Sequence, residues 1–189
     1  MPRSDKTQKN NPLQFHRCIT KREQGFFSFA ETIQFKPRGV LIGQQTADSC
    51  IPACIRMMLF DQFPEKQDDY QFSESFLRTA LHTDFRGTSL LKVPEVLSQL
   101  GISLKYEYCT CSSEELKNSL HNAVALVRVT KSNPNEGHLL LVEEFSDDFV
   151  AIRDPLPEGK GSAYLAPIDV FLKVWQSEIT SLGQAILVK

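Results

Sequence analysis

Three apolar runs of strand length follow one another late in the chain: Ala123 to Val129, His138 to Phe145 and Phe149 to Arg153. Asn133-Pro134-Asn135-Glu136-Gly137 joins the first pair, and Asp147-Asp148 joins the second. Parallel strands need a crossover of about a dozen residues or more. Connections this short and this rich in turn residues therefore restrict the region to an antiparallel sheet.

The front of the chain has a different period. From Cys50, apolar residues recur at Cys54, Met57 and Met58, the spacing of one helix face. Asp48 or Ser49 can cap that helix, Pro52 is tolerated in its first turn, and Pro64 stops it. Ser73 to Leu81 reads as a second helix capped by Ser73. A third, about Leu90 to Leu100, follows the Gly87-Thr88-Ser89 turn and stops at Gly101. Gly39 to Gly43 reads as a short strand feeding the Gln44 to Ser49 loop, and Ile102 to Tyr108 alternates as a strand. Ser112 or Ser113 caps a short helix with Glu114 and Glu115 in its first turn. Beyond the three strands, Pro155 to Gly161 is a loop, Ile168 to Gln176 a helix and Ala185 to Val188 a last strand. Helices first and strands later give an α+β fold in two lobes: an N-terminal helical lobe and a C-terminal antiparallel β-sheet lobe.

At 189 residues the chain has the length of one domain with a substantial core. The first 24 residues carry Arg3, Lys6, Lys9, Arg17, Lys21 and Arg22 against Asp5 and Glu23. They are expected to form a solvated tail, so the chain divides into a basic, partly disordered segment 1–36 and a domain 37–189. Phe27, Phe29 and Phe35 are placed to pin the end of that tail onto the domain. A net charge of -2 gives no general case for a nucleic-acid partner. No stretch approaches the ~18 apolar residues of a membrane span. No apolar core follows the basic N-terminus, so a secretory signal is not expected. Cys18, Cys50, Cys54, Cys109 and Cys111 are odd in number and irregular in spacing, which fits a reducing, cytoplasmic setting better than a disulfide framework.

Chemistry gathers on residues far apart in sequence. Cys50 falls where the helix starts, and a helix N-terminus and a nearby imidazolium both favour the thiolate form of a cysteine. His138 opens a strand after Gly137, and Asp154 closes the neighbouring strand, so the two are expected opposite each other across the hairpin. There the carboxylate can hold one imidazole nitrogen while the other faces the thiol. Gln44, six residues before Cys50, can offer its side-chain amide beside the Cys50 backbone N–H as an oxyanion donor, with Gln45 next to it as a competitor. His16, His82 and His121 have no comparable partner. Cys54 lies one turn inside the helix and reads as core. Cys109 and Cys111 share one face of an extended segment and read as structural, with a redox pair as the alternative.

With these residues in place the sequence resembles the C39 family of papain-like cysteine peptidases, the bacteriocin-processing type. That family carries a glutamine six residues before a cysteine at a helix start, then a histidine opening a strand, then an aspartate followed by proline. Gln44, Cys50, His138 and Asp154-Pro155 match it, as do Gly87-Thr88-Ser89-Leu90-Leu91 and Phe171-Leu172-Lys173-Val174-Trp175. The resemblance covers about residues 40 to 189. It implies a papain-like two-lobed fold, hydrolysis of a peptide or protein substrate, and no metal or cofactor. The chain departs from the family where Ile51-Pro52 stands in place of the glycine that usually follows the nucleophile. Ile51 is expected to narrow or reshape the substrate groove. Two other readings use the same fold: an effector or toxin domain, delivered into a target cell, that performs deamidation or acyl transfer on a target protein, and a non-catalytic peptide-binding module.

Overall fold

The computed structural model describes residues 25–27, 32–102, 105–130, 137–177 and 179–189. Most of the basic tail, Phe29 and the turn residues Asn133 to Glu136 lie outside the described residues. Helix α1 (Cys50–Gln62) is buried on nearly every side, through Ile51, Ala53, Cys54, Ile55, Met57, Met58, Leu59 and Phe60. It is therefore a central helix rather than one with a single apolar face. Helix α2 (Glu74–Ala80) is capped by Ser73, whose hydroxyl accepts the Phe76 N–H. The third helical segment begins as a 3₁₀ turn at Leu90–Lys92 and continues as α3 (Val93–Gln99). Helix α4 (Ser113–Ser119) has a complete capping box between Ser112 and Glu115, and α5 spans Ile168–Trp175.

Among the described residues, seven antiparallel strands form one sheet: β1 (Ile33–Gln34), β2 (Tyr106–Cys111), β3 (Val124–Thr130), β4 (Gly137–Phe145), β5 (Phe149–Asp154), β6 (Ser162–Pro167) and β7 (Gly183–Val188), in the order β1-β6-β5-β4-β3-β7-β2. The expected α+β architecture is present, and the three late runs are β3, β4 and β5. Both faces of the sheet are covered. Leu126, Leu139, Leu141 and Ile186 pack with α1, α2 and α3, while Ala125, Val127, Leu140 and Val142 pack with Leu116 of α4 and with Phe171 and Trp175 of α5. Burial on both faces explains why β4 reads His-Leu-Leu-Leu-Val rather than as an apolar–polar alternation.

Two local expectations are corrected. Strand β6 was not expected between the loop and the last helix. Ser-Ala-Tyr-Leu-Ala-Pro has little intrinsic strand preference, and pairing with β5 along its length, from Phe149 opposite Pro167 to Asp154 opposite Ser162, decides its state. Conversely, Gly39 to Gly43 forms no strand. Its backbone groups are taken by side chains: Val40 N–H donates to Asp61 Oδ1 at 2.7 Å, and Arg153 Nη1 donates to Val40 O at 2.7 Å.

Arg153, 1% exposed, also lies 2.5 Å from Asp61 Oδ2 and 2.6 Å from Glu143 Oε1. This network ties α1, β4, β5 and the segment before Gln44 together. Removing one member of a buried charged network strands the others without a counterion. Arg153→Ala is expected to destabilise the fold by about 3–5 kcal/mol, read as a lowered urea midpoint at unchanged slope.

Candidate active site

Asp154 is fully buried at the end of β5. Its Oδ1 accepts from His138 Nε2 at 2.7 Å and from the Leu156 N–H at 2.9 Å, and its Oδ2 accepts from Tyr164 Oη at 2.6 Å and from the Phe26 N–H at 2.7 Å. A carboxylate offers about four lone-pair sites, and these four donors fill them. A buried charge held this way is tolerated because every acceptor position is matched.

His138 and Asp154 come together diagonally rather than directly opposite. Leu141 stands opposite Arg153, so Leu140 comes level with Asp154 and His138 lies beyond it on the same face. A β-bulge between Val142 and Glu144 produces this register. One extra residue inverts the alternation of everything beyond it. Without it, β4 would send His138 to the face opposite Asp154.

The imidazole of His138 is bonded to Asp154 and has Cys50 close by. Burial disfavours the imidazolium. The hydrogen bond to Asp154, the nearness of Cys50 and the charge on Asp154 outweigh burial and push the His138 pKa from 6.5 up to about 9. Cys50 itself is half-buried at the first position of α1, where the backbone N–H has no acceptor within the helix.

Gln44 is 1% exposed. Its backbone is fixed to the loop after Asp154: Gln44 N–H donates to Pro155 O at 2.9 Å, and Gly159 N–H donates to Gln44 O at 2.8 Å. A Cβ on Gly43 would stand 2.2 Å from the Lys160 backbone nitrogen, so only glycine permits this approach of the two loops. The Gln44 side-chain Nε2 donates to Thr46 O at 2.9 Å, which engages one of its two N–H donors, and its Oε1 is buried without a hydrogen-bond partner among the described residues.

The sequence reading missed the residues that hold this arrangement. Glu74, 1% exposed, accepts from the Gln45 N–H at 2.8 Å and from Ser49 Oγ at 2.6 Å, so the first residue of α2 fastens both ends of the loop between Gln44 and Cys50. Asp48 on that loop is bound by Arg78 at 2.9 and 3.1 Å, and the guanidinium holds its carboxyl down to about 2. Tyr164 and Phe26 complete the shell of Asp154. In sequence, Glu74 looks like a first-turn helix acid and Tyr164 like a core aromatic; only the contacts distinguish them.

Ile51 is 6% exposed and belongs to the core cluster of α1, so its bulk faces inward rather than into a groove beside the thiol. Cys54 is fully buried, with its Sγ 3.4 Å from Leu139 O, and burial pushes its thiol well above the ordinary range, in keeping with a core role. Cys109 and Cys111 lie with their sulfurs 3.4 Å apart on β2, and burial raises both, Cys111 to about 12. No group of three or more His, Cys, Asp or Glu side chains among the described residues is arranged to hold a metal ion. No helix among them is long and apolar enough to cross a membrane.

A thiol at a helix start, an imidazole near it and a carboxylate bonded to the imidazole are groups that can support thiol hydrolysis. The model of the Peptidase C39 family matches residues 38–184, and the chain belongs to that family of cysteine peptidases. Among solved structures it is similar to the peptidase domain of Streptococcus ComA, a bi-functional ABC transporter involved in quorum sensing, at 23% identity and a TM-score of 0.58 over 78% of this chain and 96% of that one. It is also similar to a double-glycine-motif protease from an AMS/PCAT transporter, solved with its leader peptide, at 18% identity and a TM-score of 0.61 over 80% of this chain and 91% of that one. A third similar structure is the peptidase domain of Streptococcus mutans ComA, at 21% identity and a TM-score of 0.52 over 79% and 98%. No curated protein matches the chain.

The raised His138 pKa links stability to pH. Its imidazolium is bound more tightly in the folded than in the unfolded state, so this contribution is complete below 6.5 and is lost as pH rises through about 9. Wild-type unfolding free energy is expected to fall by on the order of 3 kcal/mol between those limits, and His138→Gln to lack that fall. Urea titrations across the range measure both.

Proposed function

We propose that the chain hydrolyses peptide bonds through Cys50, His138 and Asp154, with Gln44 as oxyanion donor. The observation that carries this reading is the buried imidazole of His138, hydrogen-bonded to Asp154 at 2.7 Å and near enough to Cys50 for the thiol to bear on its protonation. The Cys50 thiolate attacks the scissile carbonyl. The tetrahedral oxyanion is met by the Cys50 backbone N–H and by the second N–H of the Gln44 amide. The His138 imidazolium gives its proton to the leaving amine as the C–N bond breaks, leaving a thioester and a neutral imidazole. That imidazole takes a proton from water as its oxygen attacks the thioester, and release of the acid product restores thiolate and imidazolium. Asp154 keeps the imidazole in the required orientation and tautomer throughout.

The substrate proposed is an extended peptide segment. The similar transporter protease was solved with a leader peptide and is named for a double-glycine motif, which makes double-glycine leader peptides the first candidates for assay. Cys50→Ala is expected to abolish cleavage. Gln44→Ala is expected to lower kcat by about 10²–10³. Both are read from peptide fragments by mass spectrometry. Iodoacetamide should label Cys50 faster than Cys109 at neutral pH. Equal labelling, with activity retained in Cys50→Ala, would sink the reading. A one-dalton gain on a target glutamine without new termini would instead establish deamidation.

A further inference from the structure

The family match begins at residue 38, yet the site is closed by residues that precede it. The Phe26 N–H supplies one of the four donors to Asp154, at 2.7 Å. The Phe26 ring lies over the His138 imidazole, with centroids 5.5 Å apart and planes 6° from parallel. Phe27 packs edge-on against both Phe26 and Tyr164, at 5.2 and 5.9 Å. Both phenylalanines are 6% exposed. The chain passes so close that a Cβ on Gly25 would stand 2.9 Å from Asp154 Oδ2 and 2.9 Å from Ser162 Oγ.

We infer that Gly25–Phe27 is a strap belonging to the catalytic centre, and that Phe26 is a positioning residue for the His138–Asp154 pair. The inference rests on the peptidase reading above and adds a component from outside the family domain. Three independent contacts support it. The backbone donor satisfies an oxygen of a fully buried carboxylate, which would otherwise lack one partner. The ring covers one face of the imidazole, limits its rotation and keeps water from the bond to Asp154. Exclusion of water strengthens that bond, because a charge-assisted hydrogen bond is stronger in a low local dielectric. A ring face also attracts the charged form of the imidazole stacked on it. The missing side chain at Gly25 is what lets the strap lie against the carboxylate at all. The strap thus holds His138 protonated and in orientation, without touching substrate.

The test uses the full-length chain and needs no substrate. The ring proton of His138 is titrated by NMR, assigned by its loss in His138→Gln, and the rate of Cys50 alkylation by iodoacetamide is measured at pH 7. In the wild type the His138 midpoint is expected near 9. A wild-type midpoint near 6.5 with ordinary Cys50 reactivity would overturn the peptidase reading itself. Phe26→Ala is expected to lower the midpoint by a unit or more and to slow alkylation by up to tenfold, since one unit is a tenfold change in the balance between the imidazolium–thiolate and imidazole–thiol pairs. Phe26→Tyr, which keeps the ring, is expected to restore both. If Phe26→Ala fails to fold, Phe26→Leu, which keeps apolar bulk without a ring, carries the same comparison. A folded ringless variant that matches the wild type in midpoint and rate would overturn the strap while leaving the peptidase reading intact.

Discussion

The carboxylate of Asp154 is the point on which the structure turns. A buried, ionised side chain is among the most costly things a fold can contain unless its charge is matched and its lone pairs are filled. Asp154 meets that condition with donors from separate parts of the chain: the strand that carries His138, the turn that follows Asp154 itself, Tyr164 on β6, and Phe26 near the N-terminus. Each donor is also a tether. By demanding all of them, one charge fixes the end of β4, the 155–161 loop, the edge of β6 and the N-terminal strap relative to one another.

A second buried acid does the same for the loop that leads into Cys50. Glu74 holds the Gln45 N–H and the Ser49 hydroxyl, so the loop between the proposed oxyanion donor and Cys50 is anchored to α2 rather than left to fray at the start of α1. On its other side, Gln44 is bonded through its backbone to Pro155 and Gly159 of the loop that follows Asp154. Helical layer and sheet are thereby joined at the site itself. The Arg153–Asp61–Glu143 network, one residue before Asp154, joins them again on the opposite face of β5.

Much of this was legible in the sequence. The helix at Cys50, its stop before Pro64, the caps at Ser73 and Ser112, and the strands β3, β4 and β5 follow from short-range rules: spacing of apolar residues, a hydroxyl before a helix, proline and turn residues between runs. Strand β6 was not legible, because its alanines carry little strand preference of their own and pairing with β5 decides its state. The segment Gly39 to Gly43 looked like a strand and is not one, because its polar backbone groups are satisfied by side chains of Asp61 and Arg153 that come from elsewhere. Ile51 looked like an obstruction in the groove; the helix phase turns it into the core.

By itself the sequence determined which residue types were available for chemistry and on which elements they lay: a cysteine at a helix start, a histidine opening a strand, an aspartate ending the next, and a glutamine on the loop before the cysteine. Those assignments depend on local backbone preference, which a few neighbouring residues decide. Whether His138 and Asp154 meet was decided only by the tertiary structure. The bulge at Val142 to Glu144 chooses the face on which His138 emerges, and sequence alternation alone does not reveal it. The partners of Asp154 are separated from it by as many as 128 positions. Their convergence is a property of the packed sheet, because only burial makes each of those hydrogen bonds obligatory.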